Sequence, residues 1–185
     1  MVRIRVKSKI RIGGFTLSEV LIAAATATII LGAVVAFTLF SGKSFVGLSN
    51  YMSLQTRNRQ ALDILTRDIR NSVALLEYAT NRIVLQRFDG QRITLYWNPQ
   101  TGVVTRSVSG QEQVLLTDCD YLLFRIYQRN PLPGKYDFYP ATNLNGAYDP
   151  SLCKLIDITW RCSKPVLGQK LQSESILTAK IVLRN

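Results

Sequence analysis

Two hydrophobic periods divide the chain. Residues 20–42 read VLIAAATATIILGAVVAFTLFSG, twenty-three positions without a charged side chain. As a helix the part from Val20 to Phe40 is about 30 Å long, the thickness of a bilayer's hydrocarbon core. Past Ser44 the pattern turns amphipathic. Leu54, Ala61, Leu65, Ile69, Val73 and Leu76 recur at spacings of three, four or seven and form one apolar stripe, which predicts a helix continuing to about residue 78. Arg59, Asp63 and Arg67 stand four apart and can pair along its solvated side. Gly47 with Ser49-Asn50 is a candidate bend between the two halves.

After Asn81 the period changes to two. Alternation predicts strands at Arg82 to Phe88, Gln91 to Trp97, Val103 to Val108, Gln113 to Leu116, Tyr121 to Tyr127, Leu155 to Trp160 and Leu177 to Leu183. Asp89-Gly90 reads as a two-residue hairpin turn, Asn98 to Gly102 as a longer one and Ser109-Gly110 as a third. The expected inward sets are Leu122, Phe124 and Ile126; Ile156, Ile158 and Trp160; and Leu177, Ala179, Ile181 and Leu183, with Lys180 and Arg184 outward. Short turns join most of these strands, so the fold class is α+β: a long N-terminal helix whose amphipathic half packs on an antiparallel sheet.

Charge changes the picture in one respect. The 185 residues hold 23 Lys plus Arg against 12 Asp plus Glu, a formal +11, which suggests nucleic acid or a membrane surface as partner. Arg3, Arg5, Lys7, Lys9 and Arg11, however, all precede the first acid, Glu19. Against Lys43 alone beyond the apolar run, they orient a membrane span with its N-terminus in the cytoplasm and the rest exported. A cleaved secretory signal fits poorly. The small residues Ala23 to Ala27 lie near the start of the run, and a cut there would leave IILGAVVAFTLF attached. A plain anchor leaves Glu19 unexplained, since a carboxylate within a bilayer costs up to about 2.5–3.5 kcal/mol at its centre.

Gly13-Gly14-Phe15-Thr16-Leu17-Ser18-Glu19, after a basic leader and before an apolar helix, resembles the class III signal of type IV prepilins and type II secretion pseudopilins. The resemblance implies a leader (residues 1–14) removed by a prepilin peptidase between Gly14 and Phe15, and N-methylation of the new terminal Phe15. It also implies a filament-core helix over residues 15–42 and an exported pilin-like domain over residues 43–185. Glu19, fifth in the trimmed chain, would meet the terminal amine of a neighbouring subunit in the bacterial inner membrane and set register during assembly. A Gly before the scissile bond gives a protease close approach, and an acid in the first turns of a helix meets the positive end of its dipole. Trimming removes five of the 23 basic residues and none of the acids, so the formal charge falls from +11 to +6.

Farther on, Leu65 to Arg70, Thr94 to Tyr96, Gly102 to Arg106, Gln113 to Leu116, Phe124 to Tyr127 and the closing Leu183-Arg184-Asn185 are similar in order and spacing to minor subunits of the J-type pseudopilin and W-type minor pilin groups. That similarity implies a place near the filament tip, in the complex that primes assembly, with other pilins or pseudopilins as partners through the N-terminal helix. The segment Gln128 to Leu152 departs from the simplest members. It holds four prolines with Tyr136, Phe138, Tyr139 and Tyr148, and long loops of this kind pack over a sheet edge or bind. The alternative function is therefore a binding subunit that contacts DNA, a surface or a secreted substrate there, and a further one is an unrelated anchored domain. Arg57, Arg59, Arg67 and Arg70 form a second basic stripe, but Asp63 and Asp68 interleave with it and argue against nucleic acid.

Chemistry for turnover is sparse. The chain has no His and no nucleophile set beside a base, so no enzyme activity, metal or cofactor is expected. Asp118, Asp120, Asp137, Asp149 and Asp157 are scattered and match no calcium loop. Three cysteines fall in the exported part. Cys153 and Cys162 flank a predicted straight strand and stand about 30 Å apart at roughly 3.3 Å per residue, too far to bridge. Cys119 then pairs with Cys153 or with Cys162, or all three stay reduced.

Overall fold

The structure, a computed structural model, describes residues 14–130, 132–135, 137–166 and 169–183, with only the backbone given for 169–172. The basic leader residues, Gly13, Tyr136, Arg184 and Asn185 lie outside these. The chain divides into two units, residues 1–42 and 43–185. A single helix, α1 (Leu17–Arg70), supplies residues to both and is uninterrupted at Gly47, Ser49 and Asn50, so the candidate bend is regular helix.

In the first unit every residue from Gly14 to Phe40 is exposed, and the helix is long and apolar enough to cross a membrane. Its threonine hydroxyls beyond Glu19 are satisfied internally. Thr26, Thr28 and Thr38 donate their hydroxyls to the carbonyls of Ile22, Ala24 and Val34 at 3.0, 2.8 and 2.8 Å. A hydroxyl that bonds its own helix leaves no unpaired donor toward hydrocarbon.

In the second unit α1 buries Leu54, Asn58, Ala61, Leu65, Asp68 and Ile69, the steps of three and four that place residues on one face. Leu54, Leu65 and Ile69 are almost fully buried, and each such side chain stabilises the domain by about 1.5–3 kcal/mol. The helix ends at Arg70 rather than near residue 78. Asn71 N–H still bonds Arg67 C=O at 3.0 Å, and Ser72 Oγ takes the Asp68 carbonyl at 2.7 Å. Ser72–Ala79 is then a strand, β1, paired antiparallel with β2 (Arg82–Arg87). That pairing turns Leu75 into the core and leaves Leu76 more than a third exposed, so the apolar stripe stops at Ile69.

The strands form two antiparallel sheets instead of one. The first is a meander of β1, β2, β3 (Arg92–Asn98), β4 (Val103–Val108) and β5 (Gln111–Leu116) in chain order. The second has the order β7-β6-β8-β9, with β6 Cys119–Arg129, β7 Phe138–Pro140, β8 Leu155–Val166 and β9 Gln169–Val182. Ser109-Gly110 is the two-residue hairpin turn: both have positive φ, 50° and 84°, as a turn matching strand twist requires. The chain around Asp89-Gly90 instead makes a wider loop between Arg87 and Arg92.

Helix and both sheets share one core. The inward residues of β6 and β8 are buried as their alternation predicts, and Trp160 is wholly enclosed. On β9, Ile181 and Leu183 are buried, Leu177 and Ala179 partly so, and Lys180 is exposed. Two buried polar residues of the helix, Asn58 and Asp68, help to fix it. Trp160 Nε1 donates to Asn58 Oδ1 at 3.0 Å while Asn58 Nδ2 donates to Ser175 Oγ at 2.8 Å, and Arg106 of β4 holds Asp68 with two N–H groups. Asp68 thus faces inward and leaves the arginine stripe of α1, while Asp63 stays exposed beside Arg59 and Arg67.

Candidate functional site at the start of the helix

Gly14, Phe15 and Thr16 precede α1 in non-helical chain. A side chain at Gly14 would meet nothing within 4 Å, and Phe15 is 87% exposed. The 14–15 peptide bond therefore lies outside regular structure with open space on the Gly side, a geometry that a protease can enter without unwinding helix.

Three residues on, the helix begins with a reciprocal cap. Glu19 Oε2 accepts the Thr16 backbone N–H at 2.8 Å and the Thr16 hydroxyl at 2.9 Å, and Glu19 N–H reaches Thr16 Oγ1 at 3.3 Å. The Thr16 carbonyl accepts from Val20 N–H at 3.2 Å, which makes Thr16 the N-cap and Glu19 its third helical residue. This is the capping box Thr-x-x-Glu, and it satisfies donors that water would not reach in an apolar setting. Thr16 is the residue that the sequence reading passed over, although the spacing Thr16-Leu-Ser-Glu19 carries the signal. Among the described residues no donor approaches Glu19 Oε1, so the carboxylate keeps one oxygen for a second cation or N–H.

Among its described residues, the segment from Gln128 to Leu152 is pinned at several points. Residues to Arg129 extend β6, Phe138–Pro140 add the short edge strand β7, and Ala141 is buried with its N–H on Ile126 C=O. Tyr148 sets its ring against Tyr78 at 5.0 Å, and Asp149 caps the single turn Pro150–Leu152. The hydroxyl of Ser151, and then its backbone N–H, on that carboxylate hold it below the usual acid range. Phe138 and Tyr139 remain nearly half exposed and Leu144 wholly so.

The acids are dispersed: Asp120 accepts the Ser163 hydroxyl, Asp118 accepts from Thr117, and Asp157 lies buried between Arg125 and Lys180 in the register of the second sheet. The three cysteines are all buried as thiols. Cys119 and Cys162 are register partners, whereas Cys153 precedes β8 at the far end of the same pair. No protein-family model matches the chain, and none of the curated proteins matches it.

Proposed function

We propose that the chain is a pilin-like structural subunit: inserted as a precursor, trimmed between Gly14 and Phe15, methylated on Phe15, and built into a pilus or secretion pseudopilus through its apolar helix. The observation that carries this reading is the join at Phe15 to Glu19. An exposed Gly14–Phe15 bond outside regular structure stands four residues before a carboxylate whose second oxygen is uncommitted, at the mouth of a helix clad in apolar side chains. A membrane acid without such a purpose would be a liability. The domain beyond Lys43, held to the helix by Asn58 and Asp68, would then be the part that neighbouring subunits and any secreted substrate meet. In this reading the N-terminus lies in the cytoplasm and the domain outside the inner membrane, with a position near the tip drawn from the resemblance to minor subunits.

Mass analysis of the N-terminus of the membrane-fraction protein is the test. The expected species begins at a methylated Phe15, and a chain starting at Met1 in cells with an active prepilin peptidase would sink the reading. The exposure of Phe138, Tyr139 and Leu144 favours a second reading, a contact surface on the 128–152 segment. Shortening the Asn143–Ala147 tip separates the two: filaments that assemble normally but lose substrate mark a binding surface, and lost filaments mark a subunit interface.

A further inference from the structure

Cys119 and Cys162 face each other across β6 and β8, with Cys119 paired to Cys162 and Tyr121 to Arg161. The Ser163 N–H bonds the Asp118 carbonyl at 2.9 Å, so a hydrogen-bonded pair stands next to the cysteine pair on one side, while on the other β6 bulges between Cys119 and Tyr121. It is thus a non-hydrogen-bonded antiparallel site, where Cα atoms stand about 4.5 Å apart and side chains approach most closely. That separation is within the disulfide range of about 4.4–6.8 Å. Cys153 is excluded on the same register. It comes two residues before Leu155, which opposes Tyr127, eight positions along β6 from Cys119, or roughly 26 Å at 3.3 Å per residue.

The site is also held still. Cys119 N–H bonds Gly102 C=O at 2.8 Å, its carbonyl accepts Trp97 Nε1 at 3.1 Å, and a Cβ on Gly102 would press the Cys119 backbone at 3.3 Å. A surface hollow lined by Gly102, Asp118, Cys119, Asp120 and Ser163 opens on this end of the pair.

We propose that Cys119 and Cys162 are a built dithiol that closes to a cross-strand disulfide by exchange with a protein disulfide in the exported compartment, Cys119 attacking first. That the compartment supplies such an oxidant rests on the exported reading above. In the first step the Cys119 thiolate, its proton lost to solvent, bonds one sulfur of the donor disulfide and releases the other as a thiolate. In the second, deprotonated Cys162 attacks the Cys119 sulfur and expels the donor's remaining sulfur. Two thiols are oxidised, one disulfide is reduced to a dithiol, and the two protons pass through solvent to the donor's leaving thiolates. The order follows from access: the hollow is lined by Cys119 and not by Cys162, and the Cys162 hydrogen bond lowers the Cys119 thiol below its ordinary value while the same contact and burial raise Cys162. Cys153, pushed up to about 12 by burial, stays a thiol. Closure would enclose the whole 128–152 segment in one covalent loop, which confines its unfolded states.

Equilibrating the purified full chain in detergent with oxidised and reduced glutathione tests the pair without reference to compartment. The expected product is a monomer lighter by two hydrogens, with one alkylatable thiol after denaturation and a peptide joining Cys119 to Cys162. A Cys153→Ala variant should close equally well, and Cys119→Ser or Cys162→Ser should show no intramolecular bond. Three free thiols under oxidising buffer, or a bond through Cys153, would overturn the proposal. Counting thiols on acid-quenched cells then tests the exported reading by itself: a bond that forms in the purified chain but is absent from cells tells against export and leaves the pair standing.

Discussion

At the residue scale, Glu19 does two things that substitution can separate. Its Oε2 caps the helix through Thr16, and its charge is what a neighbouring terminal amine would seek. Gln keeps an acceptor at the third helical position and loses the charge, whereas Thr16→Ala loses the cap and keeps the charge. Loss of an N-cap costs about 0.5–2 kcal/mol, so Thr16→Ala should raise amide exchange over residues 17–20 by roughly 2- to 30-fold in micelles. Glu19→Gln should leave that exchange nearly unchanged and yet impair incorporation into filaments. Wild-type assembly by Glu19→Gln would remove the charge from the mechanism, and equal fraying in both variants would mean that the charge, not the acceptor, holds the helix start.

At the element scale, the end of α1 is where the sequence pattern and the structure part. The stripe Leu65, Ile69, Val73, Leu76 has helical spacing, and Ser72–Ala79 contains no Gly or Pro to break it. The competing signal is weak in sequence because β1 is irregular: its register shifts between Ser72 and Ala74 and again between Leu75 and Glu77, so clean alternation is lost. Pairing with β2 decides the outcome, and a contact with the next strand is something that the periodicity of one segment does not carry. The central strands were readable because large apolar residues recur at every second position of β6 and β8, and Leu122, Phe124, Ile126 and Ile156, Ile158, Trp160 are all buried. The split into two sheets was not, since nothing local distinguishes the Leu116 to Cys119 junction from another hairpin. At the helix start the Gly14 to Glu19 motif was legible residue by residue, and the cap partner Thr16 was there to be read. Mutation decides the disputed element directly. Leu75→Ala should cost about 2–5 kcal/mol in chemical denaturation, as buried Leu does, while Leu76→Ala, at a side chain more than a third exposed, should cost well under half of that. The reverse order would restore the helix to residue 78.

At the scale of the whole molecule, burial is distributed unevenly between the two units. Among the described residues none before Leu54 is buried, and the core draws on α1 from Leu54 onward and on both sheets. The large apolar side chains from Phe15 to Phe40 are all exposed, so in water they are a liability and contribute nothing to that core. A chain beginning at Lys43 should therefore be soluble, monomeric and cooperatively folded, with an unfolding midpoint within a few degrees of the full chain in detergent. Its first turn has a predictable defect: Phe45 and Val46 stay exposed and lose the helix that preceded them, so Lys43 to Val46 should exchange amide protons fast, whereas the turn from Gly47, whose carbonyl accepts the Ser173 hydroxyl at 3.0 Å, should be held. From Leu54 the Asn58 bonds to Trp160 and Ser175 should hold α1 in place, and in a Trp97→Phe background the Trp160 indole reports on that contact by fluorescence. Aggregation, a non-cooperative melt, or a solvent-exposed Trp160 signal in the truncated chain would show that the span contributes to folding the domain as well as to anchoring it.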